Sequence, residues 1–493
     1  MAIILKGPDF LKMNGIAPLL ILQPSLHWGD PQAMTDDTDT LSLRAAVYES
    51  LVRRDLQGRI VPALAERWEI SEDARQWTFY LHQGVRFHNG ETLSAGDVLF
   101  SMERGLAPDR RGELGTSGVL ASYFQGASWQ ELDQGSVLIT LSDPNADLLS
   151  VLLEIPILSR KAVERDELEV GGSGPFRLRH QGPREILMER FPSYREELPF
   201  PSLLWREQTD PEKRKQAWQR KEADLVSEIG LTSGSGEEKI LRQDGSLCMV
   251  LFCNFQSGAL RDLKVRQALN WATDREELIK TALGGAGVPL GGPLSPWHYS
   301  FDSAVPVYGH DPERAVQLLA EAGHADGLSL TLMAPTSQPA ESPRLMVALK
   351  QQWAQLRIQL EIRYVSPREL YAEQVRAKRF GDLCLFDSSP LSSFRVLREK
   401  FRSDPPGPWW QGWHSPEVDA WLDQAATTPN DEARQGLYRK AYRCIVESAP
   451  WVFLYRPSFF WGLGERLSGW GIGPDRIARF LSSSFALPSS MEP

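Results

Sequence analysis

Two glycine-rich stretches are the first places in this sequence where residue types and spacing could support chemistry. A loop that binds phosphate needs its glycines directly before a helix, so that the N–H groups of the first turn face the anion. GGSGPF (residues 171–176) leads into a predicted strand instead, and GGAG (residues 284–287) follows a predicted helix. GGAG is also not followed by the Gly-Lys-Ser/Thr of an ATP-binding loop. Both stretches therefore indicate turns.

The residues that serve as nucleophiles, general bases and metal ligands form no recognisable arrangement. The sequence has no Gly-x-Ser-x-Gly and no His-Glu-x-x-His motif, and its eight histidines are scattered. Its four cysteines form no Cys-x-x-Cys pair and have no histidine at zinc-site spacing. No residue therefore argues for an enzyme, a cofactor or a metal site, and we predict buried free thiols at Cys248, Cys253, Cys384 and Cys444.

The composition is that of a globular protein with large cores. The chain has 493 residues, of which 42% are hydrophobic and 24% are charged. This length suggests roughly two to four domains, or one large multi-lobed one. The formal net charge of −10 argues against a nucleic-acid partner. No stretch approaches the run of about eighteen apolar residues that spans a membrane.

The N-terminal segment MAIILKGPDFLKMNGIAPLLILQPS has short apolar runs, which Lys6, Asp9 and Lys12 interrupt. A signal peptide has a continuous apolar core followed by a cleavage site with small residues. This segment lacks that pattern. Two alternatives stay open, a cytoplasmic protein or one whose export signal was lost, replaced or assigned wrongly.

Hydrophobic periodicity predicts an α/β fold with mixed sheets. Residues 247–255 (LCMVLFCNF) and 451–463 (WVFLYRPSFFWGL) are long apolar runs, as in strands buried on both faces. On the first strand, Cys248 and Cys253 would point to opposite faces. The two strands bracket about two hundred residues, as in an inserted lobe that is joined by a two-strand hinge.

Local signals position the surrounding elements. Residues 39–55 predict a helix whose apolar face extends to Leu51. Around Gly84 we predict a strand, a turn and a second strand, followed by a helix with Ser94 as its N-cap. Thr273 predicts the start of another helix, and Gly284 predicts its end.

Residues 79–104, FYLHQGVRFHNGETLSAGDVLFSMER, resemble the signature region of the family 5 extracellular solute-binding proteins. These are the dipeptide-, oligopeptide- and nickel-binding components of ABC importers. The arginine that usually follows the first leucine of this region is His82 here. GSGPFRL, LRDLKVRQALNWATDREELIKTALGGAGVP and HSPEVDAWLDQA resemble further family motifs in the same order, so the resemblance covers about residues 17–470. The matching signature residues are Leu81, Gly84, Val85, Phe87, His88, Gly90, Leu93, Ala95, Asp97, Val98, Phe100 and Ser101.

The resemblance implies a two-lobed periplasmic-binding-protein fold of type II, enlarged by an extra domain and joined by two hinge strands. The implied boundaries are 17–44, 165–253 and 463–493 for lobe I, 45–164 for accessory domain II, and 254–462 for lobe III, with 1–16 as an N-terminal extension. Ligand binds between lobes I and III, which close over it.

The function that this resemblance implies is capture of a peptide or peptide-like solute for delivery to an ABC permease complex in the membrane. It implies a periplasmic or cell-surface monomer that is not an enzyme, holds no cofactor and has no nucleic-acid partner. One alternative keeps the fold and changes the ligand to an opine or sugar-phosphate conjugate, glutathione or a metal chelate. A nickel-type site would need His298 and His414. The sequence also leaves open an intracellular ligand-sensing domain and an enzyme, because a shared fold does not fix the function.

The resemblance also implies a residue for the ligand's α-ammonium. In peptide-binding members an aspartate lies just after a strand and before an Asp-Pro or Glu-Pro turn, and GDLCLFDSSPLSSFRVL (residues 381–397) occupies that place. Asp387 is then the ammonium-binding residue, or alternatively it caps the turn that follows. The segment is shorter than usual and lacks a family arginine, which Arg395 or Arg398 would replace if the ligand is anionic.

Tryptophans are the second group of implied ligand residues. GPWWQGWHS (residues 407–415) places Trp409, Trp410 and Trp413 in a loop that edges the cleft in family members. They would form aromatic walls that stack on a ring or a cation, or else they pack within lobe III. The same two interpretations apply to Trp297.

Overall fold

Strands and helices alternate through the part of the chain that the computed structural model describes, which comprises residues 16–33, 35, 37–107, 116–132, 135–230, 240–336 and 339–485. Of the predicted N-terminal extension, residues 1–15 lie outside this part. The strands are β1 (Leu19–Gln23), β2 (Val52–Arg54), β3 (Ile60–Pro62), β4 (Ala65–Ile70), β5 (Gln76–Leu81), β6 (Ser128–Leu132), β7 (Ser136–Thr140), β8 (Phe176–Gln181), β9 (Glu185–Arg190), β10 (Ser202–Glu207), β11 (Leu225–Val226), β12 (Ile240–Asp244), β13 (Cys248–Cys253), β14 (Gly287–Pro289), β15 (Leu328–Pro335), β16 (Ile358–Val365), β17 (Leu383–Ser388) and β18 (Trp451–Leu463).

The α-helices lie mainly between these strands. They are α1 (Thr38–Val47), α2 (Ala95–Gly105), α3 (Thr116–Ser122), α4 (Leu149–Leu152), α5 (Arg160–Glu164), α6 (Pro211–Gln219), α7 (Leu263–Trp271), α8 (Arg275–Leu283), α9 (Pro312–Glu321), α10 (Ser342–Ala354), α11 (Arg368–Arg376), α12 (Ser393–Phe401), α13 (Pro416–Ala426) and α14 (Asp431–Ser448). Within the described ranges, none of these helices combines the length and apolarity that a membrane crossing requires.

A mixed twelve-stranded sheet crosses the molecule in the order β16-β15-β17-β13-β18-β11-β1-β10-β9-β8, and β12 and β14 also pair with β18. Strand β1 is parallel to β10 and β11, and β15 is parallel to β16 and β17. Strand β13 is antiparallel to both β17 and β18. We call β1 with β8–β12 the first half-sheet and β13–β17 the second half-sheet.

Strand β18 belongs to both half-sheets. It pairs with β13 between Trp451 and Tyr455, and with β12 from Ser458 to Gly462. Beside it, residues 245–247 carry the chain from β12 to β13, and the N–H of Gly245 donates to the carbonyl of Pro457 over 3.0 Å. We call these two neighbouring connections the crossing. Both predicted long strands are confirmed, since they form β13 and β18.

The two faces of β13 support separate hydrophobic cores. All six of its residues are buried. Cys248 belongs to one core and Cys253 to the other, as the alternation of a strand predicts. The four cysteines are free, and Cys444 differs from the prediction of burial because it is half-buried.

A separate four-stranded sheet, β4-β5-β7-β6, and the hairpin β2–β3 form an accessory unit together with α2–α5. Trp77 and Phe79 of β5 pack in its core, opposite Ile139 and Val137 of β7. This core is continuous with residues of the second half-sheet and its helices, such as Phe394 on α12. The accessory unit therefore contacts that side of the molecule in this structure.

The signature region forms less strand than its pattern predicts. Strand β5 ends at Leu81, and after Gly84, whose φ is +74°, the chain makes only an isolated bridge between Arg86 and Thr92. The predicted second strand is wrong because this segment turns back on itself at Gly90 instead of pairing with β5. The predicted helix cap is confirmed, because Ser94 forms a capping box at the start of α2.

Helix α1 ends earlier than the apolar pattern predicts. It stops at Val47, and Tyr48 is extended with φ −121° and ψ 152°, so Leu51 lies beyond the helix. The glycine-rich turn packs against this end, where the N–H of Gly174 donates to the carbonyl of Val47 over 2.9 Å. A Cβ on Gly172 would lie 2.1 Å from the same carbonyl oxygen. The close approach of two backbones explains why glycine is needed there.

The start of α8 also differs by one residue. Its N-cap is Asp274, whose side chain accepts from the N–H of Glu277, and not Thr273. The hydroxyl of Thr273 donates to the carbonyl of Leu269 in the preceding helix. The predicted end is confirmed, since Gly284 adopts the left-handed conformation that closes many helices.

Candidate functional site

A cavity of about 280 Å³ lies beside the crossing, where the two half-sheets and the accessory unit meet. Its wall combines four parts of the chain that are far apart in sequence. These are helix α1 with the hairpin strand β2, the accessory-unit residues around Glu154, the loop of residues 389–392 with Arg395, and the C-terminal residues 475–481. A cavity whose wall combines segments that adjoin both half-sheets opens or closes when the half-sheets move relative to each other.

Arginine is the most frequent charged residue of this wall. Six arginines line the cavity, against three carboxylate residues, which gives a formal excess of three positive charges. The arginines are Arg44, Arg53, Arg54, Arg395, Arg476 and Arg479, and the carboxylate residues are Glu49, Glu154 and Asp475.

Arg395 connects α12 to the accessory unit. Its Nε lies 2.8 Å from Oε1 of Glu399, one turn further along the helix, and its Nη1 lies 3.3 Å from Oε1 of Glu154. The hydroxyl of Tyr123 also donates to Glu399, over 3.0 Å. Burial by itself lowers the pKa of Arg395, but the two carboxylates more than offset this and hold the pKa above its ordinary value. The guanidinium is therefore a fixed cation in the wall.

Arg54 is held in a different way, by carbonyl groups. Its Nη1 donates to the carbonyl of Gly58 over 2.7 Å, and its Nη2 donates to the carbonyl of Leu391 in the opposite wall. No ion pair joins Arg54 to any carboxylate among the described residues. Burial lowers the pKa of Arg54 to about 10, which still leaves it charged at neutral pH.

Asp387, the predicted ammonium-binding residue, lies outside this wall. It is the fifth residue of β17, half-buried and paired with Met249 of β13. Its charge favours the protonated form of the buried Lys400, although burial lowers the pKa of that lysine overall. The following helix α12 has a different residue, Ser392, as its N-cap.

The tryptophan loop packs on the second half-sheet and not around the cavity. Trp409 is half-buried, with its ring centroid 5.0 Å from that of Phe386 on β17. Trp413 is buried and makes an edge contact with Phe401 at 6.0 Å. The indole Nε1 of Trp410 donates to the carbonyl of Trp413 within the same loop. None of the three lines the described cavity.

Trp297 and its neighbour stabilise the region around the crossing. The Nε1 of Trp297 donates to the carbonyl of Asp244 at the end of β12, over 2.8 Å. The Nδ1 of His298 accepts from the N–H of Ser295 over 3.0 Å, and its Nε2 lies 2.9 Å from the carbonyl of Pro390. Within the described residues, no three His, Cys, Asp or Glu side chains are grouped to hold a metal.

Of the six predicted ligand residues, the structure therefore places only Arg395 in the wall of this cavity. Sequence reasoning missed the arginines near the end of α1 and those of the C-terminal segment. A signal was present, because LRAAVYESLVRRD (residues 43–55) holds three arginines and GPDRIARF (residues 473–480) holds two. Nothing in either pattern indicates that segments more than four hundred residues apart share one wall.

Comparison with known proteins gives consistent matches. The family model "Bacterial extracellular solute-binding proteins, family 5 Middle" matches residues 59–387. The chain is 27% identical over 476 residues to the glutathione-binding protein GsiB of Pectobacterium atrosepticum, covering 90% of both chains. It is 26% identical over 483 residues to the dipeptide-binding protein of Escherichia coli, again covering 90% of both.

A solved structure has the same fold over nearly the whole chain. HbpA2 from Haemophilus parasuis superposes with a TM-score of 0.80 at 22% identity, and the match covers 94% of this chain and 99% of that one. At this identity the likeness concerns the fold, and the predicted two-lobed α/β fold of type II with mixed sheets is confirmed.

Proposed function

Because the chain belongs to the bacterial extracellular solute-binding proteins of family 5, we propose that its cavity captures a peptide or peptide-like solute for an ABC importer. Members of this family are the solute-binding components of such importers. The observation that supports the proposal is the position of the cavity, beside the crossing and between segments that adjoin the two half-sheets. This is where closure of two lobes would bury a solute.

The contacts across the cavity suggest how closure is stabilised. Arg54 of the accessory unit donates to the carbonyl of Leu391, and the hydroxyl of Ser392 donates to that of Ser150 over 3.2 Å. Each of these two contacts is a single hydrogen bond, which water can replace. We propose that they form as the cavity closes and that water replaces them when it opens.

We propose Arg395 as a direct ligand contact, because its guanidinium is fixed in the wall. The ligand roles of Asp387, Trp297 and the tryptophan loop stay predictions. In these, Asp387 would act from β17 and the tryptophans from the face of the second half-sheet. The domain boundaries that the resemblance implies are likewise our proposal, with the accessory domain at residues 45–164.

We further propose that the protein acts as a monomer in the periplasm or at the cell surface. Its partner would be a membrane permease complex, to which it delivers the solute without catalysing a reaction and without binding nucleic acid. The alternatives of glutathione or an opine conjugate as ligand differ only in the solute that fills the cavity.

The test is to purify the full-length protein under native conditions and identify any co-purified solute by mass spectrometry. The protein is then stripped by partial unfolding and refolding, and rebinding of the identified solute is measured by calorimetry. We expect one solute per chain and no turnover of it. Chemical conversion of the solute by the pure protein, or the absence of any bound or rebound solute, would contradict the proposal.

A further inference from the structure

The charges of the cavity wall carry an inference about the class of solute, which rests on the proposed function. We infer that the cavity selects a small anionic solute, that Arg54 binds one of its acidic groups, and that a free ammonium group is not required. The acidic group is a carboxylate or a phosphate, since both accept hydrogen bonds from a guanidinium.

The first observation is that three other arginines of the wall already have carboxylate partners. Arg53 lies 3.0 Å from Glu196, and Arg479 lies 2.8 Å from Asp475. Arg395 lies between Glu399 and Glu154, as described above. In each of these three arginines, a carboxylate in direct contact compensates the charge of the guanidinium.

Arg54 contrasts with them, because its described partners are two carbonyl oxygens. Carbonyl groups satisfy N–H donors but do not neutralise the charge. Asp475 and Glu154 favour the charged form of Arg54, but neither forms a direct ion pair with it, and each already pairs with another arginine. Leu391 belongs to the cavity wall, whereas Gly58 lies in the turn of the hairpin that carries Arg54, and the two carbonyls together hold the guanidinium in place. A solute with an acidic group would supply a negative charge in direct contact with the guanidinium.

The second observation concerns the carboxylates of the wall, all three of which are paired. Glu49 lies 2.6 Å from Arg195, Glu154 lies 3.3 Å from Arg395, and Asp475 pairs with Arg479. An ammonium group in this cavity would therefore compete with an existing guanidinium for each carboxylate. A cationic or zwitterionic solute gains less from this wall than an anionic one.

Size limits the solute further. At about 280 Å³ the cavity lies near the lower end of the roughly 300–1,000 Å³ that is usual for small-molecule sites. The inferred solute is thus of dipeptide size and not an extended oligopeptide.

The experiment uses a fixed panel of probes with the stripped full-length protein. Calorimetry would compare N-acetyl-alanyl-aspartate, which has two carboxylates and no ammonium, with alanyl-alanine and alanyl-lysine. Glycerol 3-phosphate tests whether the acidic group that binds is a phosphate instead of a carboxylate. We expect at least one of the two anionic probes to bind tenfold more tightly than either unblocked dipeptide.

Two variants assign the effect to Arg54. Arg54→Gln is expected to weaken binding of the anionic probe tenfold or more, whereas Arg54→Lys, which keeps the charge, retains part of the affinity. Arg53→Gln is the matched control, because that arginine lines the same wall but already pairs with Glu196, and it should change affinity less than threefold. The melting temperature of ligand-free Arg54→Gln should not fall, since an uncompensated charge is removed.

The outcomes separate this inference from the proposed function. Equal or tighter binding of alanyl-alanine or alanyl-lysine, or no binding of either anionic probe, would overturn the inference, as would equal effects of Arg54→Gln and Arg53→Gln. The proposed function survives each of these results if any solute co-purifies and rebinds, and fails only if none does.

Discussion

Replacing Arg395 by leucine should lower the free energy of unfolding of the ligand-free protein by about 3–5 kcal/mol. The reason is the carboxylate that remains. The side chain of Glu399 is 3% exposed, and the substitution removes the guanidinium that lies 2.8 Å from it. A buried carboxylate that loses its partner keeps its desolvation cost without the compensating attraction.

The double variant Arg395→Leu/Glu399→Leu separates this cost from the loss of packing. It removes both charges, so most of the stability should return, to within about 1–2 kcal/mol of the native protein. The remaining deficit comes from the hydroxyl of Tyr123, which loses its acceptor at a cost of about 1 kcal/mol, and from the buried Lys400, which loses the attraction of Glu399. Glu154→Gln is the control, and it should cost less than about 1 kcal/mol because Glu154 is 38% exposed.

Urea unfolding followed by tryptophan fluorescence, together with scanning calorimetry, would measure these differences in solute-free protein. If Arg395→Leu lowered the free energy of unfolding by less than about 1 kcal/mol, the ion pair with Arg395 would not be what compensates the buried carboxylate of Glu399. A double variant as unstable as Arg395→Leu alone would show that shape and not charge accounts for the loss.

Burial lowers the pKa of both His88 and His298 to about 4. The unfolded chain takes up these protons first, near pH 6.5, so stability should be full above about pH 6.5 and fall towards pH 4 by about 3 kcal/mol per histidine. Urea unfolding of His88→Asn between pH 7.5 and 4.5 should show a shallower decline of stability with falling pH, and a decline as steep as that of the native protein would contradict this. Gly172→Ala should lower the melting temperature by several degrees, because its Cβ would lie 2.1 Å from a carbonyl oxygen. Gly29→Ala is the control and should change the melting temperature little, since its Cβ would have no atom within 4 Å; equal shifts would refute the steric reason. Thiol labelling of the native protein should modify Cys444 first, since the other cysteines are buried, and labelling that remains equally fast in Cys444→Ser would count against this burial.

Strongly patterned elements could be predicted from the sequence because their signals are local. The apolar runs of β13 and β18, the capping box of α2 and the terminal glycine of α8 all depend on neighbouring residues. Helix α1 shows the limit of this reasoning. Its apolar face continues past Val47, but the glycine-rich turn of residues 171–174 packs against that point and ends the helix. A contact between residues more than one hundred positions apart leaves no local pattern.

The candidate site was less predictable than the fold for the same reason. Arg395 was identified because a resemblance pointed to its segment, but Arg54 and the C-terminal arginines line the cavity only after folding brings four regions together. The tryptophan loop shows the opposite problem. Trp409 and Trp413 have the composition of a ligand-stacking surface, yet in the structure they pack against Phe386 and Phe401. Composition alone does not distinguish a cleft wall from a core.

The sharing of β18 by both half-sheets has a consequence for synthesis on the ribosome. Leu225 of β11 pairs with Leu463, so a strand of the first half-sheet must wait until the far end of β18 has been made. At about 5–20 residues per second, those intervening residues take roughly ten to fifty seconds to translate. During that interval β11 has an unpaired edge, of the kind on which other chains can pair. We therefore expect the first half-sheet to reach its full stability only after the last segment of β18 has emerged.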